Sequence, residues 1–308
     1  MNERRIEMAH FINTLFNGLS LSSIILLTSL GLAITFGLMR VINMAHGEFL
    51  MIGASMTYVV QQIFARFFPE SVMDIYYIVA IPFAFGVTFL LGSLLERFVI
   101  SHLYGREIDS LLATWGISLI LQQAARNIFG TQGVNVTAPS FLNGGFEIGG
   151  CTFSYNRLFI LFMVVMSMVF IWLIMYKSNF GKQMRAVMQN RTMAQCMGIN
   201  SRKVDNVTFA IGSGLAGIAG CSVALLGSID STVGQSYIVN SFMAVVLGGV
   251  GKLAGTVLGS TIIGSASIFT ENYTSSTIAK AIVLLIVIIF LQKRPQGLFV
   301  IKSRSLDE

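Results

Sequence analysis

Ala281-Ile282-Val283-Leu284-Leu285-Ile286-Val287-Ile288-Ile289-Phe290-Leu291 is apolar at every position. A helix built from this run has no face suited to water, which is the condition of a helix embedded in lipid. Similar apolar segments lie over 11–39, 47–65, 76–100, 110–129, 157–176, 206–228, 237–250 and 253–270, and the quoted run belongs to a ninth, 277–292. Most approach the roughly 20 residues that cross a bilayer core as a helix. The alternation that an outer-membrane strand requires is absent. The sequence therefore predicts an all-α, polytopic transmembrane helix bundle of eight or nine membrane segments, with every backbone polar group satisfied inside its own helix.

The bulk composition agrees. The chain is 54% hydrophobic and 11% charged, with a mean hydropathy of +0.75, against about 25% charged residues in soluble domains. The 308 residues leave no room for a separate soluble domain, so 1–308 reads as one transmembrane domain. The net charge of +6 reports topology rather than nucleic-acid binding, because the basic residues collect in loops, as the positive-inside rule expects. Cys151, Cys196 and Cys221 have neither metal-ligand spacing nor a disulfide pattern. Arg4 and Arg5 precede an apolar run too long for a signal-peptide core, so that segment is expected to stay in the mature protein.

Residues 177–205 hold Lys177, Lys182, Arg185, Arg191, Arg202 and Lys203 against the single Asp205, and the tail adds Lys293, Arg294, Lys302 and Arg304. Both are expected to be cytoplasmic. Residues 130–156 carry Glu147 and no basic residue and are expected outside. Counting back through nine passes puts the N-terminus outside too, against the preference of Arg4 and Arg5. Within the basic loop, 181–197 can form a short surface helix in which Met184, Val187, Met188 and Met197 offer apolar contacts while Lys182, Arg185 and Arg191 stay solvated. It reads either as a docking helix for a cytoplasmic motor or as an interfacial helix on anionic membrane lipid.

Two interruptions of the apolar runs bear on function. Asn43-Met44-Ala45-His46-Gly47-Glu48 is polar; Gly248-Gly249-Val250-Gly251-Lys252 is glycine-rich. One lies in each half, and Val41, Gly47 and Glu48 align with Val245, Gly251 and Lys252. Paired broken helices point to a transporter's binding site; the alternative is two tight turns with glycine caps. Catalytic machinery is not indicated. Lys252 fails as a phosphate-loop lysine, since Val246 stands where that loop needs its first glycine and Leu253 where it needs Ser or Thr. His10, His46 and His102 have no carboxylate or cysteine at ligand spacing, so no metal is expected. Glu48, Asp230 and Glu271 are the acidic residues at or near segment ends. Asn43, Thr114, Gln122, Gln123, Asn240 and Ser241 offer uncharged hydrogen-bonding groups that suit a small neutral solute or bond neighbouring helices.

Five stretches carry a family likeness: Ile42-Asn43-Met44-Ala45-His46-Gly47-Glu48-Phe49-Leu50-Met51-Ile52-Gly53; Leu103-Tyr104-Gly105-Arg106; Leu111-Leu112-Ala113-Thr114-Trp115-Gly116-Ile117-Ser118-Leu119; Asn240-Ser241-Phe242-Met243 leading into Val246-Leu247-Gly248-Gly249-Val250-Gly251; and Gln292-Lys293-Arg294-Pro295-Gln296-Gly297-Leu298-Phe299. The chain resembles, nearly end to end, the membrane permease subunits of ABC importers for branched-chain amino acids and related small solutes. The second, third and fifth stretches are most similar to the urea-type permease. The resemblance implies a multi-pass protein of the bacterial plasma (inner) membrane and a second, related permease subunit. It also implies two cytoplasmic ATPase subunits that hold the ATP, and an extracytoplasmic solute-binding protein; this chain would bind no cofactor and no nucleic acid. It assigns ATPase coupling to 177–205, where Arg185, Ala186, Asn190, Ala194, Gly198 and Ile199 match the family's pattern. Met188, Met193 and Met197 stand where leucine or valine is expected, an apolar exchange that keeps the volume and adds flexibility. The expected solute path holds Asn43, His46, Glu48, Thr114, Gln122 and Asn240, with Asn43 and His46 near the solute, Glu48 orienting them, and Gly47, Gly248, Gly249 and Gly251 breaking the helices. A branched-chain amino acid or short-amide importer and a passive urea channel are the competing readings.

Overall fold

The computed structural model describes residues 2–39, 41–148 and 151–299. Among these, eleven α-helices follow in order: α1 Asn2–Met39, α2 His46–Phe67, α3 Tyr76–Phe98, α4 Glu107–Phe129, α5 Tyr155–Trp172, α6 Asn179–Gln189, α7 Arg191–Cys196, α8 Ser201–Ala224, α9 Val233–Gly248, α10 Leu253–Glu271 and α11 Ser276–Lys293. Six stretches are long and apolar enough to cross a membrane: Ile12–Gly37, Met73–His102, Tyr155–Lys177, Ser201–Ala224, Leu253–Glu271 and Ser276–Lys293. α9 is apolar but shorter. α2 and α4 have the length, with 22 and 23 residues, but carry the polar residues of the candidate site. The expected bundle is therefore present, while Lys302 and Arg304 of the predicted basic tail lie outside the described residues.

The centre of the bundle is α8, whose middle reads Gly212-Ser213-Gly214-Leu215-Ala216-Gly217-Ile218-Ala219-Gly220 and is almost wholly buried. Small residues let backbones approach closely where lipid supplies no hydrophobic drive between helices. α8 packs extensively against α3, α2 and α1. At its crossing with α2, a β-carbon added to Gly53 would meet the Gly217 backbone with no space to spare. Larger side chains fill the margins: Leu27 and Leu30 of α1 belong to one cluster with Leu50, Ile211 and Leu215, and Tyr77 of α3 donates to the Cys221 carbonyl at 2.8 Å.

Residues 130–156, read from the sequence only as an outside loop, contain a two-stranded antiparallel hairpin, β1 Gly145–Ile148 with β2 Cys151–Ser154. Phe146 and Phe153 stack across it at 5.3 Å, and Phe153 meets Phe16 of α1 edge-on at 4.9 Å. Aromatic pairing thus holds the hairpin on the bundle. The single surface helix expected over 181–197 is two helices. Asn190 ends α6 with φ −154° and caps α7 by accepting the Met193 N–H at 2.9 Å; the short polar side chain that favours a cap is what breaks the run.

Candidate functional site

After Met39 the chain does not turn directly into α2. His46, the first residue of α2, places Nε2 3.1 Å from the Thr28 carbonyl, about three helical turns back along α1. The segment 41–45 therefore runs back into the bundle, and Val41, Asn43 and Ala45 are buried. Non-helical backbone at such depth needs partners from the protein. Asn43 Oδ1 accepts the Ala45 N–H at 3.0 Å, and Thr114 Oγ1 of α4 accepts the Met44 N–H at 3.1 Å. Gly47 then passes against Gly234 near the start of α9, where an added β-carbon would lie 2.5 Å from the Gly234 oxygen. Two helix beginnings, those of α2 and α9, meet inside the bundle.

Glu48 sits in the first turn of α2 rather than in the break, and it is 1% exposed. Its Oε1 accepts from Ser118 Oγ and from Gln122 Nε2, both at 2.8 Å, on one face of α4. Three buried atoms here have no protein partner: Asn43 Nδ2, His46 Nδ1 and Glu48 Oε2. Thr28 O can only accept, so His46 Nε2 carries the proton and Nδ1 of the neutral ring is an acceptor. Glu48 was expected to orient Asn43 and His46; its bonded oxygen meets Ser118 and Gln122 of α4 instead. His46 points to α1 and Glu48 to α4, because residues two apart leave a helix on different sides. Thr114, Ser118 and Gln122 form the wall opposite Glu48 and the break; Asn240 is buried on α9 and bonds none of these groups.

Gly248, Gly249 and Gly251 do break the helices, in the form of the alternative reading, a turn. They make a tight turn between α9 and α10, with Gly249 at φ +99° and Gly251 at φ +86°. The segment that follows α11 seals it: Leu298 N–H reaches the Leu247 carbonyl at 2.8 Å and Phe299 N–H the Gly248 carbonyl at 3.3 Å. An added β-carbon on Gly37, near the end of α1, would lie 2.6 Å from the Gly251 α-carbon. The turn lies beside the end of α1, whereas the partner of the first break is the start of α9.

The basic loop also differs from its expected solvation. Arg185 donates to the Met175 carbonyl in the π-helical turn Leu173–Lys177 that ends α5, with its guanidinium 5.5 Å from the Tyr176 ring centroid. Arg191 pairs with Asp205 at 2.5 Å. Met184, Val187 and Ala194 are buried against the bundle, and Ile199 packs at the edge of the same cluster. Met188, Met193 and Met197 face outward, Met197 at 79% exposure, beside exposed Asn190 and Gly198. Ala186 is half-buried.

A family model described as the permease component of a branched-chain amino acid transport system matches residues 14–292. The chain belongs to that family. It is 28% identical over 299 residues to the high-affinity branched-chain amino acid transport system permease protein BraD of Pseudomonas aeruginosa, covering 95% of this chain and 96% of that one. It is 27% identical over 301 residues to the corresponding protein LivH of Escherichia coli, with the same coverage. The probable permease LivH of Methanocaldococcus jannaschii is 26% identical over 289 residues, covering 90% of this chain and 89% of that one. No solved structure matches the chain. This permease is a multi-pass protein of the inner membrane.

Sequence reasoning on this permease missed two residues that its geometry singles out. Gly234 lacks any motif, yet the apolar run that follows it, 237–250, is too short to span, which is the mark of a helix that starts at depth. Ser118 has no motif of its own; its spacing of four from Thr114 and from Gln122 puts all three on one helix face.

Proposed function

We propose that this permease is the membrane-spanning subunit of an ATP-driven importer whose solute is urea. The observation that carries the reading is the setting of Glu48. Its carboxylate is held by a hydroxyl and an amide only, with one oxygen unpaired. Among the described residues, the buried Asp, Glu, Lys and Arg side chains are Glu48, Glu96 and Asp205, with no cation among them. The beginning of α2 carries the positive end of a helix dipole, and Glu48 already occupies it. A solute carboxylate would find no buried cation here among the described residues; Arg126, one turn beyond Gln122 on α4, is exposed and donates to Ser231 Oγ at 2.8 Å. A neutral solute rich in N–H donors complements Glu48 Oε2 on the α4 side and, separately, His46 Nδ1 on the α1 side, and its carbonyl complements the Asn43 amide. A carboxylate at the bilayer centre costs about 2.5 to 3.5 kcal/mol on insertion scales, which favours keeping Glu48 only where it serves the path.

The second reading, a branched-chain amino acid, is favoured by the names of BraD and LivH; an α-ammonium group would satisfy Glu48 Oε2 equally well. In both readings ATP is bound by two partner ATPases, a related permease completes the membrane unit, and a soluble binding protein delivers solute. The outward methionines Met188, Met193 and Met197 suit an ATPase-facing surface, since methionine contacts adapt to their partner. The test is uptake of labelled urea and labelled leucine in a strain lacking the chromosomal system, with and without the ATPase subunits. Urea uptake that needs the ATPases supports the proposal. Leucine uptake without urea uptake favours the second reading, and urea uptake without ATPases would make the protein a passive channel.

A further inference from the structure

Away from Glu48, a second set of polar side chains is gathered where the basic loop meets the bundle. Arg191, the first residue of α7, places Nη2 2.5 Å from Asp205 Oδ2 on α8, and its guanidinium lies 4.9 Å from the Tyr104 ring centroid. Tyr104 Oη donates to Glu96 Oε1 of α3 at 2.8 Å. Asn206 of α8 donates through Nδ2 to Glu96 Oε2 at 2.7 Å and to the Ser93 carbonyl at 2.8 Å, and accepts from Ser93 Oγ at 2.7 Å. Burial, helped by the Asp205 and Glu96 carboxylates, pushes the Tyr104 phenol up, so it remains a donor. Two buried carboxylates, one on α3 and one on α8, thus meet in one network. Arg191 is the cation that faces them.

We infer that Arg191 is the positioning residue that ties the cytoplasmic helices α6 and α7 to the α3–α8 pair and passes their movement to the Glu48 site. Resting on the reading of 177–205 as the ATPase-coupling segment, it names the link that segment uses. The route beyond Asp205 is continuous. α8 is packed most extensively on α3 and crosses α2 backbone to backbone at Gly53 and Gly217; α2 carries Glu48. Closely packed helices move as a body, because such interfaces have little room for independent shifts. Arg185, by contrast, is spent on the carbonyl at the end of α5. Arg191 is the arginine of the loop that joins a planar, delocalised charge to both an acid and an aromatic face, a pairing lysine does not reproduce.

The experiment uses the complete complex in proteoliposomes, with ATP hydrolysis and uptake of labelled urea and of labelled leucine measured in the same vesicles. Arg191→Ala alone would leave Asp205 buried and unpaired, so the deciding variant is Arg191→Ala with Asp205→Asn, which removes both charges. We expect it to assemble and hydrolyse ATP while solute imported per ATP falls about tenfold, within the range of ordinary coupling energies. Arg191→Lys should fall between that variant and wild type. Wild-type solute per ATP in the double variant would overturn the inference, and so would its failure to assemble, which would make the link structural. If the wild type itself shows no ATP-dependent uptake, the importer reading falls together with the inference; if only the variant behaves unexpectedly, the inference falls alone.

Discussion

The segment 41–45 and the turn at 249–252 both interrupt helices, and both bring backbone close to backbone. In the first, the polar side chains of the segment and of the first turn of α2 are enclosed by α1, α2 and α4, and three atoms, those of Asn43, His46 and Glu48, have no partner. In the second, glycines supply the left-handed backbone and the chain's own tail takes up the free carbonyls of α9. A buried polar group without a partner costs about 1 to 3 kcal/mol, so the first segment keeps a cost that the second has removed. Unmet hydrogen-bonding capacity marks the site where a solute has something to contribute; a fully capped turn marks architecture.

The largest effect should come from Gly47→Val against Gly249→Ala. A side chain at position 47 collides with the Gly234 backbone, which is fixed between α2 and α9. Overpacking of that kind costs about 1 to 3 kcal/mol and often more, and we expect loss of uptake with several-fold less monodisperse protein on size-exclusion chromatography. At Gly249 the strain of φ +99° costs about 1 to 2 kcal/mol, and the added methyl would lie 2.5 Å from the Phe299 carbonyl oxygen, so the tail must shift at the end of α9 while the Glu48 site is untouched. That variant should keep a substantial fraction of uptake. Equal losses would erase the distinction between the two interruptions.

Next in size is Glu48→Gln against Lys252→Gln. The first keeps the shape and a hydrogen-bonding oxygen but removes the charge. Uptake should fall about tenfold, equivalent to some 1.4 kcal/mol of barrier, with ATPase association unchanged. Asn43→Ala and His46→Ala should slow uptake by less than that. Lys252→Gln should stay within about twofold of wild type, the range expected of a surface change. Uptake assays paired with co-purification of the ATPases separate loss of transport from loss of assembly.

How much of this was legible beforehand follows from what each feature depends on. The membrane helices could be read from composition alone, because lipid asks every face of a helix such as 281–291 to be apolar. The first interruption was legible because Asn43, His46 and Glu48 are costly residues inside an apolar chain. Its pairing with Gly248–Gly251 was misleading, since glycine spacing does not say whether a turn lies at depth or at a helix end, and Gly234 carried no polar signal of its own. Arg185 and Arg191 looked equally solvated. Which of them meets Asp205 depends on how α7 returns to α8, and the bend at Asn190 decides that.

A smaller effect tests the wall of the first segment. Thr114→Val keeps the volume of the side chain but removes the acceptor of the Met44 N–H. Leaving that donor buried costs about 1 to 3 kcal/mol, so the melting temperature of the purified protein should drop by a few degrees while the helical content is unchanged. An unchanged melting temperature would mean that the donor finds water, and the segment would then be wetter than its burial indicates.

The smallest effect is one of access alone. With Cys151, Cys196 and Cys221 replaced by serine, single cysteines at positions 43 and 252 can be compared in inside-out vesicles with a membrane-impermeant maleimide. Lys252 is partly exposed and Asn43 fully buried, so Lys252→Cys should label readily and Asn43→Cys should not. Because thiolates react and buried thiols are held in the thiol form, the contrast reads burial and side of the membrane together. Adding ATP and solute to the complete complex sharpens the test: if 41–45 lines the path, Asn43→Cys should gain reactivity during turnover while Lys252→Cys stays constant. Labelling at position 43 that is absent both at rest and during turnover would make the first segment as architectural as the second, and the unpartnered atoms around Glu48 would need another explanation.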